Sequence, residues 1–220
     1  MKKITFLAVL FIFTGFLSKA VAQSPVRLGL KFNPIISYAR ITDEDKKSID
    51  GLDASSKLGF SGGLMADFNF SERAAFHTGL LIVSKGYETS IDGLDATTTS
   101  KVTAVEVPLA LKMRSGDIAN GLRIRGLFGG QLGLNVSSKT TSELAGVSVE
   151  DRNTSDYYQP LSVDFLVGAG VEYDIETVGT LDFGLSYHHG LTRFNKKGDD
   201  GDFGVRALLN YFSLDIGFFF

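Results

Sequence analysis

Three side chains late in the chain are of the types that nucleophilic catalysis uses. Asp182, Ser186 and His188 are separated by even numbers of residues, so a β-strand would place them on one face. A serine nucleophile needs a base within hydrogen-bond reach. Neighbouring positions on one strand face are about 7 Å apart, which is too far for direct contact. The spacing argues against a hydrolase, and we predict no catalytic residues.

Metal binding has little support in the sequence. Asp199, Asp200 and Asp202 carry oxygen ligands that Ca²⁺ accepts, but their spacing does not match an EF-hand loop, and a solvated turn is the simpler explanation. The chain has no cysteine. His188 and His189 are adjacent, so a strand would point them to opposite faces. We expect no metal and no cofactor.

A larger group of charged side chains alternates with apolar residues along the chain. Its members are Arg27, Lys31, Asp67, Lys85, Glu106, Lys112, Arg114, Arg123, Arg125, Asp164, Glu172, Asp174, Asp182 and Asp215. Cations dominate the first half and carboxylates the second. Because unpaired buried charges are costly, we predict that these groups pair across the interior of one domain. A charged pathway for ions is the alternative.

Eight alternating runs carry these charges. Each is about ten residues or longer, which suits a tilted membrane-spanning strand. The runs are 26–38, 58–70, 75–87, 103–114, 122–136, 161–175, 181–191 and 208–220. The short connections are 69–73, 115–121 and 176–179, and the long polar ones are 40–57, 88–102, 137–160 and 194–207. Alternately short and long connections are typical of an up-and-down membrane barrel with short periplasmic turns and long extracellular loops.

The last run has the clearest alternation. Its apolar face consists of Phe212, Leu214, Ile216, Phe218 and Phe220. We expect this strand to close the barrel and to be the segment that the barrel-assembly machinery binds. A soluble lipocalin-like barrel also has eight strands, but its interior is apolar and its exterior polar. In the other runs the residues that alternate with the apolar face are charged, which suits the polar interior of a membrane barrel and not the apolar interior of a lipocalin.

The N-terminus has the pattern of a secretory signal peptide. Lys2 and Lys3 precede an apolar stretch over 4–17, and Ala20-Val21-Ala22 provides a cleavage site. We predict a signal peptide over 1–22 and one barrel domain over 23–220. A retained N-terminal anchor is the alternative.

The composition limits the partners of the chain. The formal net charge is −3, and an acidic chain does not suit nucleic acid. An exported chain that crosses a membrane with strands belongs in the outer membrane of a Gram-negative bacterium. Its immediate surroundings are then outer-membrane lipid.

Two further features are local. Pro108 interrupts a run, and proline inside a strand removes a ladder hydrogen bond, so we predict an irregularity there. The sequence 48–55 recurs almost unchanged at 90–97 in the next long loop. Its repeated turn residues are Asp50, Gly51, Asp53, Asp92, Gly93 and Asp95. Asp-Gly favours tight turns, and a paired recognition surface is the alternative reading.

Several segments together resemble a known family. They are 26–33, 59–64, 70–73, 80–86, 105–112, 168–173 and 186–191. Their order is similar to that of the PorT-like outer membrane β-barrel proteins of Bacteroidetes, often labelled porin family. The resemblance covers essentially the whole mature chain and implies an eight-stranded outer-membrane barrel. It implies no single activity, although the family's namesake takes part in protein secretion.

The predicted fold class is all-β, an eight-stranded antiparallel up-and-down transmembrane barrel. We expect a filled lumen and a structural or interaction role: envelope integrity, surface recognition or support of protein secretion through a protein partner. A narrow porin-like channel for small solutes is the main alternative. An enzyme acting on lipid or peptide is a weaker one, because no catalytic constellation is present.

Overall fold

The computed structural model describes residues 26–42, 52–91, 96–144, 147–151, 158–194 and 206–220. The strands in these residues are β1 (Val26–Thr42), β2 (Leu52–Asn69), β3 (Ala74–Ile91), β4 (Ala96–Arg114), β5 (Leu122–Leu144), β6 (Val147–Asp151), β7 (Leu161–Ile175), β8 (Gly179–Gly190) and β9 (Arg206–Phe219). Among the described residues, no helix has the length and apolarity needed to cross a membrane. The predicted signal peptide lies outside the described residues and stays a prediction.

Eight of the strands close into a barrel. Sequential neighbours pair antiparallel from β1 to β5, and the ring continues through β7, β8 and β9. The ring closes where β9 pairs with β1. The short β6 forms a hairpin with the end of β5 and stands outside the ring. The predicted eight-stranded antiparallel barrel is thereby confirmed.

The alternation of the last strand separates a surface from an interior. Phe212, Leu214 and Phe220 are exposed on the outer face, at 54%, 46% and 69%. Tyr211 and Asp215, on the other parity, are buried in the lumen. A strand places successive side chains on opposite faces, so every strand that crosses the membrane presents one apolar face to lipid. The outer face of the barrel is therefore the apolar one, as a membrane barrel requires.

Connections at one end of the barrel are short, as predicted. They span 70–73, 115–121 and 176–178. In the second of these, Asn120 and Gly121 adopt positive φ angles of 37° and 85°, a conformation that glycine and asparagine accept most readily. These turns hold the periplasmic end together.

Strands at the opposite end are longer than predicted. β4 begins at Ala96 and β5 extends to Leu144, so much of the predicted loops 88–102 and 137–160 is strand. Towards the ends of these strands both faces are partly exposed, as at Thr97, Thr98 and Thr99. A sequence rich in serine and threonine there loses the alternation that marks the lower part. The pairing nevertheless continues, because β-branched threonines suit extended backbone.

These extensions form a sheet that we call the outer wall. It consists of residues 52–56, 84–91, 96–103, 137–144 and 147–151, paired in that order. The two copies of the repeat meet here, because Leu52 pairs with Ile91 and Asp53 with Ser90. Asp50, Gly51, Asp92, Gly93 and Asp95 lie outside the described residues, as does the side chain of Asp53.

Two prolines interrupt the ladders of the barrel. Pairing between β3 and β4 stops between Thr78–Leu109 and Leu81–Glu106, opposite Pro108, with no change of register. Pairing between β1 and β9 likewise stops between Lys31–Gly217 and Ile35–Ser213, at Pro34. The irregularity predicted at Pro108 is present as missing ladder pairs. Pro34 produces a second one at the seam where the first and last strands meet.

Candidate functional site in the lumen

Charged side chains fill the lower half of the lumen, near the periplasmic end. Lys112 Nζ lies 3.0 Å from Asp67 Oδ2 and 3.0 Å from Asp182 Oδ2, and it also pairs with Glu172. Lys112 lies on β4, whereas its partners Asp182 and Glu172 lie on β8 and β7, which are not its neighbours in the ring. This cluster therefore ties opposite walls of the barrel together.

Arginines surround that centre. Arg114 Nε donates to Glu172 Oε2 at 2.9 Å, and Arg27 Nη1 donates to the same oxygen at 3.1 Å. Arg125 Nε donates to Asp182 Oδ1 at 2.9 Å, and its Nη2 reaches Asp215 Oδ2 at 3.2 Å. Charge-assisted bonds of this kind are among the stronger hydrogen bonds in proteins. Each buried carboxylate of the cluster consequently has at least one cationic partner.

The backbone makes room for these groups. A Cβ on Gly184 would lie 2.6 Å from Arg125 Nη2 and 2.6 Å from the carbonyl oxygen of Ala169. A larger residue would displace the guanidinium from Asp182. Glycine at this position is thus part of how the strand β8 accommodates Arg125.

A second charged group lies in the upper half. Lys85 Nζ donates to Glu106 Oε1 at 2.6 Å and lies 3.7 Å from Asp164 Oδ2. Tyr211 donates its hydroxyl to Glu106 Oε2 at 2.8 Å, and Gln131 Nε2 lies 2.7 Å from the Tyr211 hydroxyl. Gln131 and Tyr211 share the inward parity of the charged positions, so the alternation pattern contained the signal for both.

The two groups balance each other in charge. Among the described residues, the lower group has the cations Arg27, Lys31, Lys112, Arg114 and Arg125, and the carboxylates Asp67, Glu172, Asp182 and Asp215. The upper group has one cation, Lys85, and two carboxylates, Glu106 and Asp164. The surplus cation below offsets the surplus carboxylate above, so the formal charges of the network sum to zero.

Arg123 differs from the other members of the predicted network. Its guanidinium pairs with Asp174 and lies 3.7 Å from Asp117 in the turn, and its side chain is 23% exposed. It stands at the periplasmic rim, outside the buried cluster. We included Arg123 in the predicted network because its position in the alternation faces inward. Whether an inward-facing side chain is buried also depends on how far it lies from the end of the barrel.

Two histidines lie between the charged groups. His77 Nδ1 is 2.6 Å from Asp67 Oδ1, and the ring of His188 stacks on Tyr211 at 4.0 Å between centroids. Both rings line a cavity of about 10 Å³, which has room for about one water molecule. The Ser186 hydroxyl donates its hydrogen bond to Asp215 and not to His188. The residues with catalytic potential are therefore engaged in structural contacts.

Aromatic rings are buried near both ends of the lumen. Phe219 is buried near the periplasmic end, with the cations of Arg27 and Lys112 each 4.4 Å from its ring centroid. Phe194 is buried at the extracellular end and packs on Tyr158 at 4.4 Å and on Tyr87 at 6.2 Å. The sequence pattern did not predict a role for either phenylalanine. Phe219 lies on the inward face and Phe194 in a loop, and the charge pattern marks only charged positions.

Charges on the outer surface mark the extracellular rim. Lys57 Nζ lies 2.5 Å from Glu88 Oε2, and Thr99 Oγ1 donates to the same oxygen at 3.2 Å. The hydrogen bond and the positive charge from Lys57 lower the pKa of Glu88. Glu88 therefore stays ionised, and its carboxylate is bound by Lys57 and Thr99.

The sequence of this barrel matches a protein family. The family model described as "Outer membrane protein beta-barrel domain" matches residues 21–195. The chain belongs to this family. Membership identifies it as an outer membrane β-barrel protein and implies a Gram-negative outer membrane. No curated protein matches the chain in sequence.

Solved structures of outer-membrane barrels are similar to the chain. Neisserial surface protein A is 14% identical, with a TM-score of 0.43, over 89% of this chain and 96% of its own. Outer membrane protein OprG from Pseudomonas aeruginosa is 10% identical, with a TM-score of 0.43, over 88% and 96%. Outer membrane protein AlkL is 13% identical, with a TM-score of 0.47, over 92% and 94%.

Proposed function

We propose that this outer-membrane barrel is sealed and serves a structural or interaction role in the cell envelope. The observation that carries the proposal is the continuous filling of the lumen, from Phe219 through the charged groups to Phe194. An eight-stranded barrel has an interior just wide enough for side chains to fill. The interaction role falls to the parts outside the membrane, above all the outer wall.

Conductance tests the sealed lumen. The mature protein is inserted into a planar lipid bilayer and current is recorded over a range of voltages. We expect no stable open steps for the wild type, because the two cavities found among the lumen side chains, each of about 10 Å³, have room for about one water molecule. A variant that removes both aromatic ends, Phe194→Gly with Phe219→Gly, serves as the comparison.

Stable unitary steps in the wild type would support the main alternative, a narrow channel for small solutes. The polar lumen is the observation that favours that alternative. The gel mobility of unboiled protein verifies in parallel that the barrel is folded, so that an absence of current is not confused with a failure to insert. We do not propose an enzymatic role, because Ser186 donates its hydrogen bond to Asp215 and His188 stacks on Tyr211.

We further propose membership of the PorT-like branch and a role connected with protein export. The support is the order of the sequence segments that resemble that branch. The partners would be a protein of a secretion machine or of the cell surface, and the barrel-assembly machinery would bind the C-terminal strand. Outer-membrane lipid surrounds the barrel.

A clean deletion of the coding region tests this role. The surface and secreted proteins of the mutant are compared with those of the parent, together with detergent sensitivity. Accumulation of exported proteins in the periplasm would support a secretion role. Normal export with a leaking envelope or reduced adhesion would instead indicate a structural or recognition role and contradict the secretion proposal.

A further inference from the structure

Two like charges face each other on the outer surface. Lys101 on β4 pairs directly with Lys139 on β5, and both side chains are exposed. The Cβ atoms of directly opposed residues lie about 4.5–5.5 Å apart, and like charges in such positions are destabilising. Among the described side chains, neither ammonium forms an ion pair. The chain thus keeps a repulsive pair that its described part does not compensate.

The pair lies above lipid-facing positions of the same two strands. Val105 and Leu134 are opposed on the same two strands and face lipid. Lys101 lies four residues beyond Val105, about 13 Å along a tilted strand. The headgroup layer is roughly 5–8 Å thick on each side of the hydrocarbon core. Lysine stems extend along apolar surface to place the ammonium at the interface, so both ammonium groups reach the depth of lipid headgroups.

The surroundings of the pair favour an anion. In the part of this rim that the structure describes, the outward-facing cations are Arg40, Lys57, Lys101 and Lys139, in a chain whose net charge is −3. Among the described side chains near the pair on this face, Glu88 is already bonded by Lys57 and Thr99, and Glu143 lies four residues from Lys139 along β5.

We propose that Lys101 and Lys139 together bind a phosphate group of a lipid A-type lipid in the outer leaflet. A phosphate bridging two ammonium groups converts their repulsion into two charge-assisted hydrogen bonds. The site rests on the placement of the barrel in the outer membrane and not on the sealed lumen. A barrel that conducts ions would still carry it.

Thermal unfolding in vesicles tests the site. The mature protein is refolded into phosphatidylcholine vesicles with and without lipid A, and the unfolding midpoint is followed by gel mobility. A ligand that binds the folded state raises the midpoint. We expect lipid A to raise the midpoint of the wild type, and the double variant K101Q/K139Q to lose more than half of that rise. In pure phosphatidylcholine the variant should match or exceed the wild type, because its repulsive pair is gone.

A matched control removes a different pair from the same rim. The variant K57Q/E88Q leaves the net charge unchanged and should keep the full rise with lipid A. Lipid A stripped of its phosphates should give no rise in the wild type. An equal rise in K101Q/K139Q and wild type would overturn the proposal. So would an equal rise produced by inorganic phosphate alone, because that result would indicate an ion site without a lipid.

Discussion

At the scale of single residues, the charged groups of the lumen are unequal in what they stabilise. Lys85 is the cation that contacts Glu106 and Asp164 among the described side chains. The carboxylates around Arg125 have further partners, since Asp182 also binds Lys112 and Asp215 lies 3.5 Å from Lys31. The consequence of a substitution therefore depends on what the removed group leaves unpaired.

The variant Lys85→Met should be among the most destabilising in the barrel. It leaves two buried carboxylates without a cation, and breaking a buried ion pair costs about 3–5 kcal/mol. Arg125→Met should cost less, because its partners retain other cations. The measurement is the free energy of unfolding in urea, with protein in lipid vesicles. Exposed Glu72→Gln is the surface control, and the idea of a cross-lumen network fails if all three variants are equally stable.

Phe219 allows a second comparison within one strand. Phe219→Leu removes a ring that contacts two cations, whereas Phe220→Leu changes a ring exposed to lipid. Cation–π contacts are worth about 0.5–2 kcal/mol each. We expect Phe219→Leu to lower the unfolding free energy by about 1 kcal/mol or more relative to Phe220→Leu. Equal losses would show that the two cations gain nothing from the ring.

At the scale of elements, the seam between β1 and β9 is the distinctive feature. Pro34 has no N–H group, and the ladder is interrupted between Lys31–Gly217 and Ile35–Ser213. Within this gap the Ile216 amide donates instead to the side-chain oxygen of Asn33, at 3.2 Å. Unsatisfied backbone groups are especially costly in lipid. The proline and the asparagine next to it thus act together to keep the first and last strands joined.

Asn33→Ala should loosen this seam locally. The Ile216 amide loses its acceptor, which costs about 1–3 kcal/mol, and its hydrogen exchange should accelerate. Ser61→Ala is the matched control, because it removes the other bond of Asn33, from Nδ2 to Ser61 Oγ at 3.3 Å, and leaves the Ile216 bond in place. Exchange measured by NMR in detergent should distinguish the two. Unchanged exchange in Asn33→Ala would mean that another acceptor satisfies the amide.

At the scale of the whole molecule, the two ends of the barrel differ in construction. Short turns close the periplasmic end, whereas the outer wall rises from one side of the other end. Since the chain has no cysteine, single introduced cysteines report on this orientation without background.

A cysteine at Ser142, in the outer wall, should react with a membrane-impermeant maleimide on intact cells. A cysteine at Glu176, in the turn between β7 and β8, should react only after the outer membrane is permeabilised. Both positions are exposed, so reactivity reports the side of the membrane and not burial. Labelling of both on intact cells, or the reverse pattern, would contradict the orientation of the barrel.

The sequence alone determined the strands that cross the membrane and the parity that faces the lumen. The physical reason is that lipid on one side and a polar interior on the other impose an alternation with a period of two residues. Strand ends were missed where this contrast is absent, as at Thr97 and Thr141 in the outer wall, because water on both faces imposes no alternation. The family resemblance, which also rests on short local segments, likewise predicted that the barrel lies in the outer membrane.

The tertiary structure alone decided which charges meet. Lys112 contacts carboxylates on β2, β7 and β8, and such contacts depend on the register of every strand around the ring. A sequence pattern assigns a side chain to the interior but not to a height, which is why Arg123 joined the predicted network yet lies at the rim. The burial of Phe219 and Phe194 near the two ends was decided there too, because a ring is buried only where the curvature of the barrel brings its neighbours around it.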